Sequence, residues 1–234
     1  MPGWLPTARP RGGGRRLLST DHCKGVFHIK KRHDFLALKP VALTAAIGIG
    51  LTVGAYASEP SFDCAKADGS VEELICKDAE LAALDRKLSE VYAAALKRVA
   101  EEGYEDPRIW QRGWVKGRND CWKAQDVRAC VEAAYQHRIA ELQIQYGQLE
   151  VPSPVHFACG EMDVTAVFYR ETDPPTVVLT PIGPHEGDDQ VIAFLSPSGS
   201  GAKYDGSNAS FWEHQGEAML SWFGKEMTCK KKGD

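Results

Sequence analysis

The apolar residues of this chain change their spacing once, near residue 150, and this change constrains the fold more than any other feature. Before it, apolar side chains recur at steps of three and four residues, the period of an amphipathic helix. After it, apolar and polar residues alternate over short runs separated by Gly, Pro and Asp, the pattern of strands. The segment between them, Gln148–Pro154 (QLEVPSP), is a short, stiff connector. We therefore predict an α+β protein with a helical domain at 58–147, a linker at 148–154 and a β domain at 155–234.

Three helices are predicted in the first domain, and short loops between them favour an antiparallel three-helix bundle. A capping box opens the first helix, with Ser70 as N-cap and Glu73 three residues later. The helices are predicted to run from Ser70 to Gly103, from Asp106-Pro107 to Cys121, and from Asp126 to Gly147.

Each predicted helix carries an apolar stripe that is expected to pack in the bundle. The stripes comprise Leu74, Leu81, Leu84, Leu88, Val91, Ala95 and Val99 on the first helix, Trp110, Trp114, Gly117 and Cys121 on the second, and Val131, Tyr135, Ile139, Leu142 and Tyr146 on the third.

The cysteines indicate export and a disulfide framework. All but one of the seven lie beyond residue 57, which leaves an even number. Alternating helix directions place Cys76, Cys121 and Cys130 at one end of the bundle, and Cys64 reaches them from the preceding segment. Two disulfides are expected there, and of the three possible pairings we favour Cys76 with Cys121 and Cys64 with Cys130. Zinc and haem spacings are missing from the sequence, so no metal and no cofactor are expected.

The first 57 residues are typical of a leader that is removed on export. Residues 41–57 (VALTAAIGIGLTVGAYA) form an apolar run that follows a basic segment and ends in an A-x-A pattern, which predicts cleavage before Ser58. An uncleaved membrane anchor is the alternative, although the run is short and glycine-rich for a membrane span. Because the next cysteine is Cys64, well beyond Ala57, we predict no lipobox. The protein is expected to be periplasmic or secreted.

Removal of the leader changes the charge balance of the chain. The leader holds 9 of the 28 basic and 2 of the 32 acidic residues, so the formal charge falls from −4 to −11. Such a charge disfavours binding to nucleic acid and to anionic membrane surfaces, and it favours encounter with a basic protein.

Eight short strands are predicted in the second domain, and closing them into one antiparallel barrel leaves no exposed edge. Cys159 and Cys229 lie in the first and last strands, which become neighbours on closure, so a disulfide between them is expected at the seam. So small a barrel is filled by its own side chains, and no small-molecule ligand is expected. The strands are predicted at Val155–Cys159, Met162–Tyr169, Thr176–Thr180, Gln190–Ser196, Ala202–Tyr204, Ala209–Trp212, Ala218–Trp222 and Met227–Lys230.

The stretch Ser198–Ala218 (SGSGAKYDGSNASFWEHQGEA) holds the most distinctive loops of this domain. A Ser/Gly turn at 198–201 precedes an extended piece, a hairpin signal at Asp205-Gly206 and an aromatic strand start. A polar turn follows at His214–Gly216. The residues alone are compatible with ordinary turns of a β domain and with loops that bind a partner.

The two motifs SGSGAKY and FWEHQGEA resemble the signature of the periplasmic and membrane-bound inhibitors of c-type lysozyme. The resemblance implies a barrel with the Cys159–Cys229 disulfide, in which a serine and a lysine enter the lysozyme cleft and bond its two catalytic carboxylates. The serine corresponds to Ser200. The lysine position falls on His214, and a histidine is positively charged only under mildly acidic conditions. The predicted lysozyme-binding residues are Ser198, Gly199, Ser200, Gly201, Lys203, Tyr204, His214 and Gln215.

The helical half resembles a second family, the LprI-type N-terminal domain of exported bacterial proteins. Its elements IC-x-D-x-x-L-x-x-L-D-x-x-L and Q-x-x-W-x-x-x-R-x-x-C are intact here, and one member of that family is a lysozyme inhibitor. Several polar residues of this half could form a site, but we interpret them as structural ion pairs or solvated positions. We interpret His137 as a surface residue. The set considered as a possible site comprises Asp85, Arg86, Gln111, Arg118 and Asp120.

We therefore predict a non-enzymatic protein that inhibits c-type lysozyme, a basic partner, through the Ser/Gly loop. The alternative is a non-inhibitory interaction module of the cell envelope that acts through the helical half. A hydrolase is the least favoured class, because no set of nucleophile, base and orienting group occurs at a motif spacing.

Overall fold

The computed structural model describes residues 59–182, 190–214 and 217–233. The predicted leader with its cleavage site, and Gln215, lie outside these ranges. Within them, an N-terminal helical half is followed by eight antiparallel strands, as predicted. The helices are α1 (Ser70–Lys77), α2 (Ala79–Glu102), α3 (Arg108–Asn119) and α4 (Val127–Gln145), with 3₁₀ turns at Cys64–Lys66 and Asp120–Lys123. The strands are β1 (Val155–Cys159), β2 (Met162–Tyr169), β3 (Thr176–Ile182), β4 (Val191–Ser196), β5 (Ala202–Gly206), β6 (Ala209–His214), β7 (Glu217–Trp222) and β8 (Lys225–Lys231).

The first predicted helix is in fact two helices, because the chain breaks at Asp78. This residue has extended backbone angles, and its carboxylate accepts hydrogen bonds from the amides of Glu80 and Leu81, both at 3.0 Å. It also pairs with Arg128 of α4 at 2.8 Å. The bond from the Leu81 amide is the main cause that holds the pKa of Asp78 below its ordinary value. Asp78 therefore starts α2 as its N-cap and fixes α4 beside it.

The start of α1 also differs from the prediction. Gly69 is the N-cap and Ser70 is already helical, so the predicted capping box with Glu73 does not form. Instead the side chain of Glu72 reaches back and accepts a hydrogen bond from the amide of Asp68 at 2.9 Å. The carboxylate is thus one residue earlier than predicted, Glu72 in place of Glu73, and it satisfies an amide just before the helix.

The stripes predicted on the first and third helices are confirmed, since all of their residues lie in or against one apolar core. The stripe predicted on the second helix is only partly correct. Trp114 and Cys121 belong to the core, whereas Trp110 and Gly117 of α3 are exposed.

Both disulfide pairings favoured for the helical half are wrong. The structure joins Cys64 to Cys76 and Cys121 to Cys130, with sequence separations of only 12 and 9 residues. Cys76 lies in the second turn of α1 and bonds Cys64 in the 3₁₀ turn directly before that helix. The 3₁₀ turn that follows α3 likewise brings Cys121 to the first turn of α4. Such local pairs close short loops and cost less chain entropy than distant ones.

The eight strands form a closed barrel in which each pairs with its chain neighbours and β8 pairs with β1. The β1–β8 ladder has two residue pairs, Phe157 with Lys231 and Ala158 with Lys230. The disulfide between Cys159 and Cys229 crosses this seam, as expected, and closes a loop of 70 residues. Because a long loop loses much freedom when it is closed, this bond stabilises the barrel where its ladder is shortest.

The barrel interior is filled by its own side chains, with Phe157 and Phe211 in edge-to-face contact at 5.1 Å. The predicted hairpin between β5 and β6 is present, but its turn lies at Ser207 and Asn208 rather than at Asp205-Gly206. Asn208 takes the left-handed conformation, with φ of 58°. Gly206 remains in the strand, where a Cβ would lie 2.7 Å from the carbonyl oxygen of Ile192.

Residues 59–233 belong to one compact unit, in which side chains of α4 contact the barrel. The imidazole of His137 stacks on the ring of Phe194 with centroids 3.9 Å apart, and Gln136 donates a hydrogen bond to Asp173 at 3.2 Å. Burial lowers the pKa of His137. His137 is therefore part of this contact and not the isolated surface residue that we predicted.

Among the described residues, none of the helices combines the length and the apolar character needed to cross a membrane.

Candidate functional site

The two sequence motifs of Ser198–Ala218 meet at one end of the barrel. Successive strands run in opposite directions, so the β4–β5 connection and the paired ends of β6 and β7 lie at the same end. Residues 197–201 form this connection, and Ser196 pairs with Lys203 below it. The β-barrel thus places the Ser/Gly loop beside His214.

Two hydrogen bonds fix the conformation of the Ser/Gly loop. The hydroxyl of Ser198 donates to the carbonyl oxygen of Gly201 at 3.0 Å, which closes the turn. The indole Nε1 of Trp212, on β6, donates to the carbonyl oxygen of Ser200 at 2.8 Å. The second bond ties the tip of the loop to the neighbouring strand, so the loop has a defined shape before any partner binds.

Gly201 is the residue at which the loop backs onto β6. Its φ is +68°, and a Cβ at this position would lie 2.2 Å from the carbonyl oxygen of Glu213 and 3.2 Å from the Cβ of His214. Only glycine combines this backbone conformation with such a close approach. Gly199 differs, since its added Cβ would meet nothing within 4 Å.

The loop presents Ser200 outward. Its side chain is exposed, and within the described part of the chain its hydroxyl has no hydrogen-bond partner. A hydroxyl in this position can donate a hydrogen bond to an acceptor on a bound protein and accept one in return.

Lys203 and Tyr204 differ from Ser200 in what they can contact. The ammonium of Lys203 lies 3.1 Å from the carboxylate of Asp205, so its charge is partly neutralised. Hydrogen bonding from Ser196 and then from Lys203 holds the pKa of Asp205 below its ordinary value. Tyr204 is buried in the barrel core against Phe168, and burial raises its pKa. Tyr204 thus supports the loop from within and does not face solvent.

His214 ends β6 and is partly exposed. Its ring lies 6.2 Å from that of Trp212, and Glu217 stands opposite it on β7. Of the predicted binding residues, those at 198–201, 203 and 214 are brought together on this end of the barrel. Gln215 lies outside the described residues.

Sequence reasoning overlooked Trp212 as a member of the site. The alternation of β6 contains the signal, because Phe211 points into the core and the next residue must point outward. An outward tryptophan beside a Ser/Gly loop has a ring N–H that needs a partner, and the loop carbonyl supplies it.

The polar residues considered in the helical half do not form one site. Asp85 and Arg118 are buried together, each hydrogen-bonded to the hydroxyl of Tyr135 at 2.8 and 2.7 Å. Gln111 instead accepts a bond from Arg138, and Asp120 pairs with Lys123 at the surface. The remaining residue, Arg86, donates to the carbonyl oxygen of Glu59 at 2.8 Å. These contacts agree with the structural interpretation made from the sequence.

Comparison with known proteins places a family match on the barrel. Residues 157–228 match the family described as membrane-bound lysozyme-inhibitor of c-type lysozyme. The match begins in β1, ends in β8 and includes both motifs of the candidate site. The resemblance drawn from SGSGAKY and FWEHQGEA is thereby confirmed.

Similar proteins extend the comparison to the helical half. The chain is 37% identical over 172 residues to lipoprotein LprI of Mycobacterium bovis and of two strains of Mycobacterium tuberculosis. These alignments cover 73% of this chain and 83% of each relative. The relatives are named lipoproteins, which agrees with export and does not support our prediction that this chain has no lipobox.

Proposed function

Since this chain belongs to the family of the mycobacterial lipoprotein LprI and its barrel is a lysozyme-inhibitor domain, we propose that it is an exported inhibitor of c-type lysozyme. In this proposal the loop 198–201 enters the substrate cleft of the enzyme, and Ser200 bonds one of its catalytic carboxyl groups. His214 approaches the other from the end of β6. Blocking the cleft protects peptidoglycan from hydrolysis.

The observation that carries the proposal is the bond from Trp212 to the carbonyl of Ser200, at 2.8 Å. It holds the exposed serine at the tip of a loop that is also closed by Ser198. A preformed loop pays little conformational entropy on binding, which is how inhibitors of ordinary interface size become tight.

The chemistry of the target supports a pair of polar contacts. Retaining lysozymes use one protonated and one ionised carboxyl group in their cleft. A serine hydroxyl can bond either form, and a protonated imidazole bonds the ionised one. Two such contacts would occupy the acid and the nucleophile together.

Long-range electrostatics support the same partner. Without the predicted leader the chain has a formal charge of −11. Basic proteins such as c-type lysozymes are attracted to an acidic surface, which raises the association rate at low ionic strength.

The direct test is the loss of turbidity of a bacterial cell-wall suspension treated with c-type lysozyme, with the purified protein titrated in at pH 6 and 7.5. Dose-dependent protection is the expected result. Absence of protection at both pH values, with the disulfides formed, would contradict the proposal and favour the envelope-module alternative.

Replacing Ser200 with alanine is expected to weaken inhibition, because a buried hydrogen bond at the enzyme surface is lost. The expected loss is roughly 1–3 kcal/mol of binding free energy, measured as the inhibition constant. Ser207→Ala is the matched control, since Ser207 is also an exposed turn serine but lies at the opposite end of the barrel. Equal inhibition by the two variants would exclude Ser200 from the interface.

Replacing His214 with lysine is expected to remove a pH dependence. An imidazole gains positive charge as the pH falls from 7.5 to 6, so the native protein should inhibit better at pH 6. A lysine keeps its charge at both pH values. The inhibition constants of the native protein and the variant are compared as a ratio at each pH, because effects of pH on the enzyme itself then cancel. A ratio that is the same at both pH values would eliminate a role for the His214 charge.

A further inference from the structure

One side of α3 is exposed to solvent although it carries large apolar side chains. Ile109 is 56% exposed and Trp110 is 44% exposed. Of the 12 residues of this fully described helix only Arg118 is buried, whereas α4 buries six residues, among them Tyr135. An exposed tryptophan and isoleucine side by side are uncommon on a surface that contacts only water.

The same side of α3 is cationic. Arg108, Arg112 and Lys116 recur at every fourth residue, so they form one edge of the exposed face beside Ile109. The helix sequence, RIWQRGWVKGRN, contains no acidic residue. Arg108 pairs with Asp106, but Arg112 and Lys116 are exposed and form no salt bridge within the described ranges.

This combination favours a partner that is both anionic and apolar below its surface. Helices that lie on membranes pair Lys and Arg on a polar edge with Trp and other large apolar residues on the buried side. A basic protein such as lysozyme would be repelled by Arg112 and Lys116, so this face is distinct from the loop at 198–201. We propose that the exposed face of α3 binds the anionic headgroup surface of a phospholipid membrane.

The net charge of the chain does not exclude this occupant. The formal charge of −11 disfavours anionic membranes for the chain as a whole, but it is a sum over all residues and does not describe the local charge on α3. Within a few ångströms of a surface, screening makes the local charges of α3 decisive.

Binding to vesicles tests the proposal. The purified protein, shown by mass spectrometry to carry no lipid group, is sedimented with vesicles of phosphatidylcholine alone or mixed with phosphatidylglycerol. We expect binding only to the mixed vesicles, and weaker binding at high salt. The double variant Arg112→Glu, Lys116→Glu should bind at least about 25-fold more weakly, since each cation contributes roughly fivefold. Trp110→Ala should bind about tenfold more weakly.

Matched controls separate the α3 face from bulk charge and from exposed tryptophan in general. Lys87→Glu, Lys97→Glu makes the same change of net charge on α2, and Trp122→Ala removes a tryptophan that is 61% exposed outside α3. Both controls should bind like the native protein. The proposal is overturned if the native protein does not bind the mixed vesicles or if the two double variants lose binding equally. It is also overturned if the native protein sediments with purified peptidoglycan and not with vesicles.

The α3 variants also give a readout that is independent of the lysozyme proposal. None of the changed residues belongs to the barrel, so the variants should inhibit lysozyme as the native protein does. Loss of vesicle binding with intact inhibition supports the α3 surface, and a failure of the native protein to inhibit lysozyme leaves the vesicle result unaffected.

Discussion

Changing Gly201 to alanine is expected to weaken inhibition of c-type lysozyme by roughly a hundredfold or more. The added Cβ would lie 2.2 Å from the carbonyl oxygen of Glu213, which belongs to the strand backbone and cannot rotate away. The φ of +68° adds strain of its own for a residue with a side chain. The loop must therefore leave β6, which breaks the bond from Trp212 and moves Ser200. A loss of about 3 kcal/mol corresponds to the expected change in the inhibition constant.

Gly199 provides the control within the same loop. A Cβ there meets nothing within 4 Å, and its backbone is not in the left-handed region. Gly199→Ala should therefore inhibit nearly as well as the native protein, and both variants should still fold because the barrel core is unchanged. If Gly201→Ala inhibited as strongly as Gly199→Ala, the fixed shape of the loop would not be the source of inhibition.

The barrel could be predicted closely because most of its strands alternate between buried and more exposed residues, although β3 buries four in a row, Thr176–Leu179. In β2, Val164 and Ala166 are buried in the core as the pattern requires, and the predicted bounds Met162–Tyr169 are those observed. Closure followed from the strand number and from cysteines in the first and last strands. The hairpin turn predicted at Asp205-Gly206 was misplaced because Gly206 serves a close strand contact rather than a turn.

The helical half was predicted less well because side-chain hydrogen bonds, rather than the spacing of apolar residues, set where its first helix breaks. Nothing in the apolar period marks Asp78 as a break, since the stripe continues on both sides. Asp78 caps α2 through the amides of Glu80 and Leu81, and it also pairs with Arg128, 50 residues later. The disulfide errors have a separate source, since each bond joins a cysteine of a helix to a cysteine of the 3₁₀ turn directly before it, and the apolar period does not mark these turns.

The candidate site was predicted as a set of exposed loop residues, and its support was missed. Ser200 and His214 could be assigned from motif resemblance, but the bond between Trp212 and the Ser200 carbonyl depends on how β5 and β6 pair. Tyr204 was placed among the contact residues although strand alternation sends it inward with Phe211 and its neighbours. Alternation alone, applied to β5, would have made that distinction.

A buried polar network holds the helical half together, and it centres on Asp85. The carboxylate accepts bonds from the amide and the hydroxyl of Ser61, both at 2.6 Å, and from the hydroxyl of Tyr135 at 2.8 Å. Arg118 of α3 donates to the same tyrosine and lies 3.9 Å from Asp85. Burial raises the pKa of Tyr135, so its hydroxyl remains a proton donor to the carboxylate. One side chain of α2 thus links the N-terminal segment, α3 and α4.

Replacing Asp85 with alanine is expected to lower the free energy of unfolding by about 3–5 kcal/mol, because it leaves the buried Tyr135 hydroxyl without its acceptor and removes the carboxylate beside the buried Arg118. Urea denaturation followed by circular dichroism at 222 nm measures this loss. Glu90→Ala, an exposed carboxylate on the same helix, should change stability by no more than about 0.5 kcal/mol. Asp85→Asn keeps an acceptor for Tyr135 but loses the negative charge beside Arg118. Its free energy of unfolding should lie between those of Asp85→Ala and Glu90→Ala. This variant therefore still tests the prediction if the alanine variant does not fold. If all three variants unfolded at the same urea concentration, packing of the apolar stripes, and not this network, would be what holds the helices together.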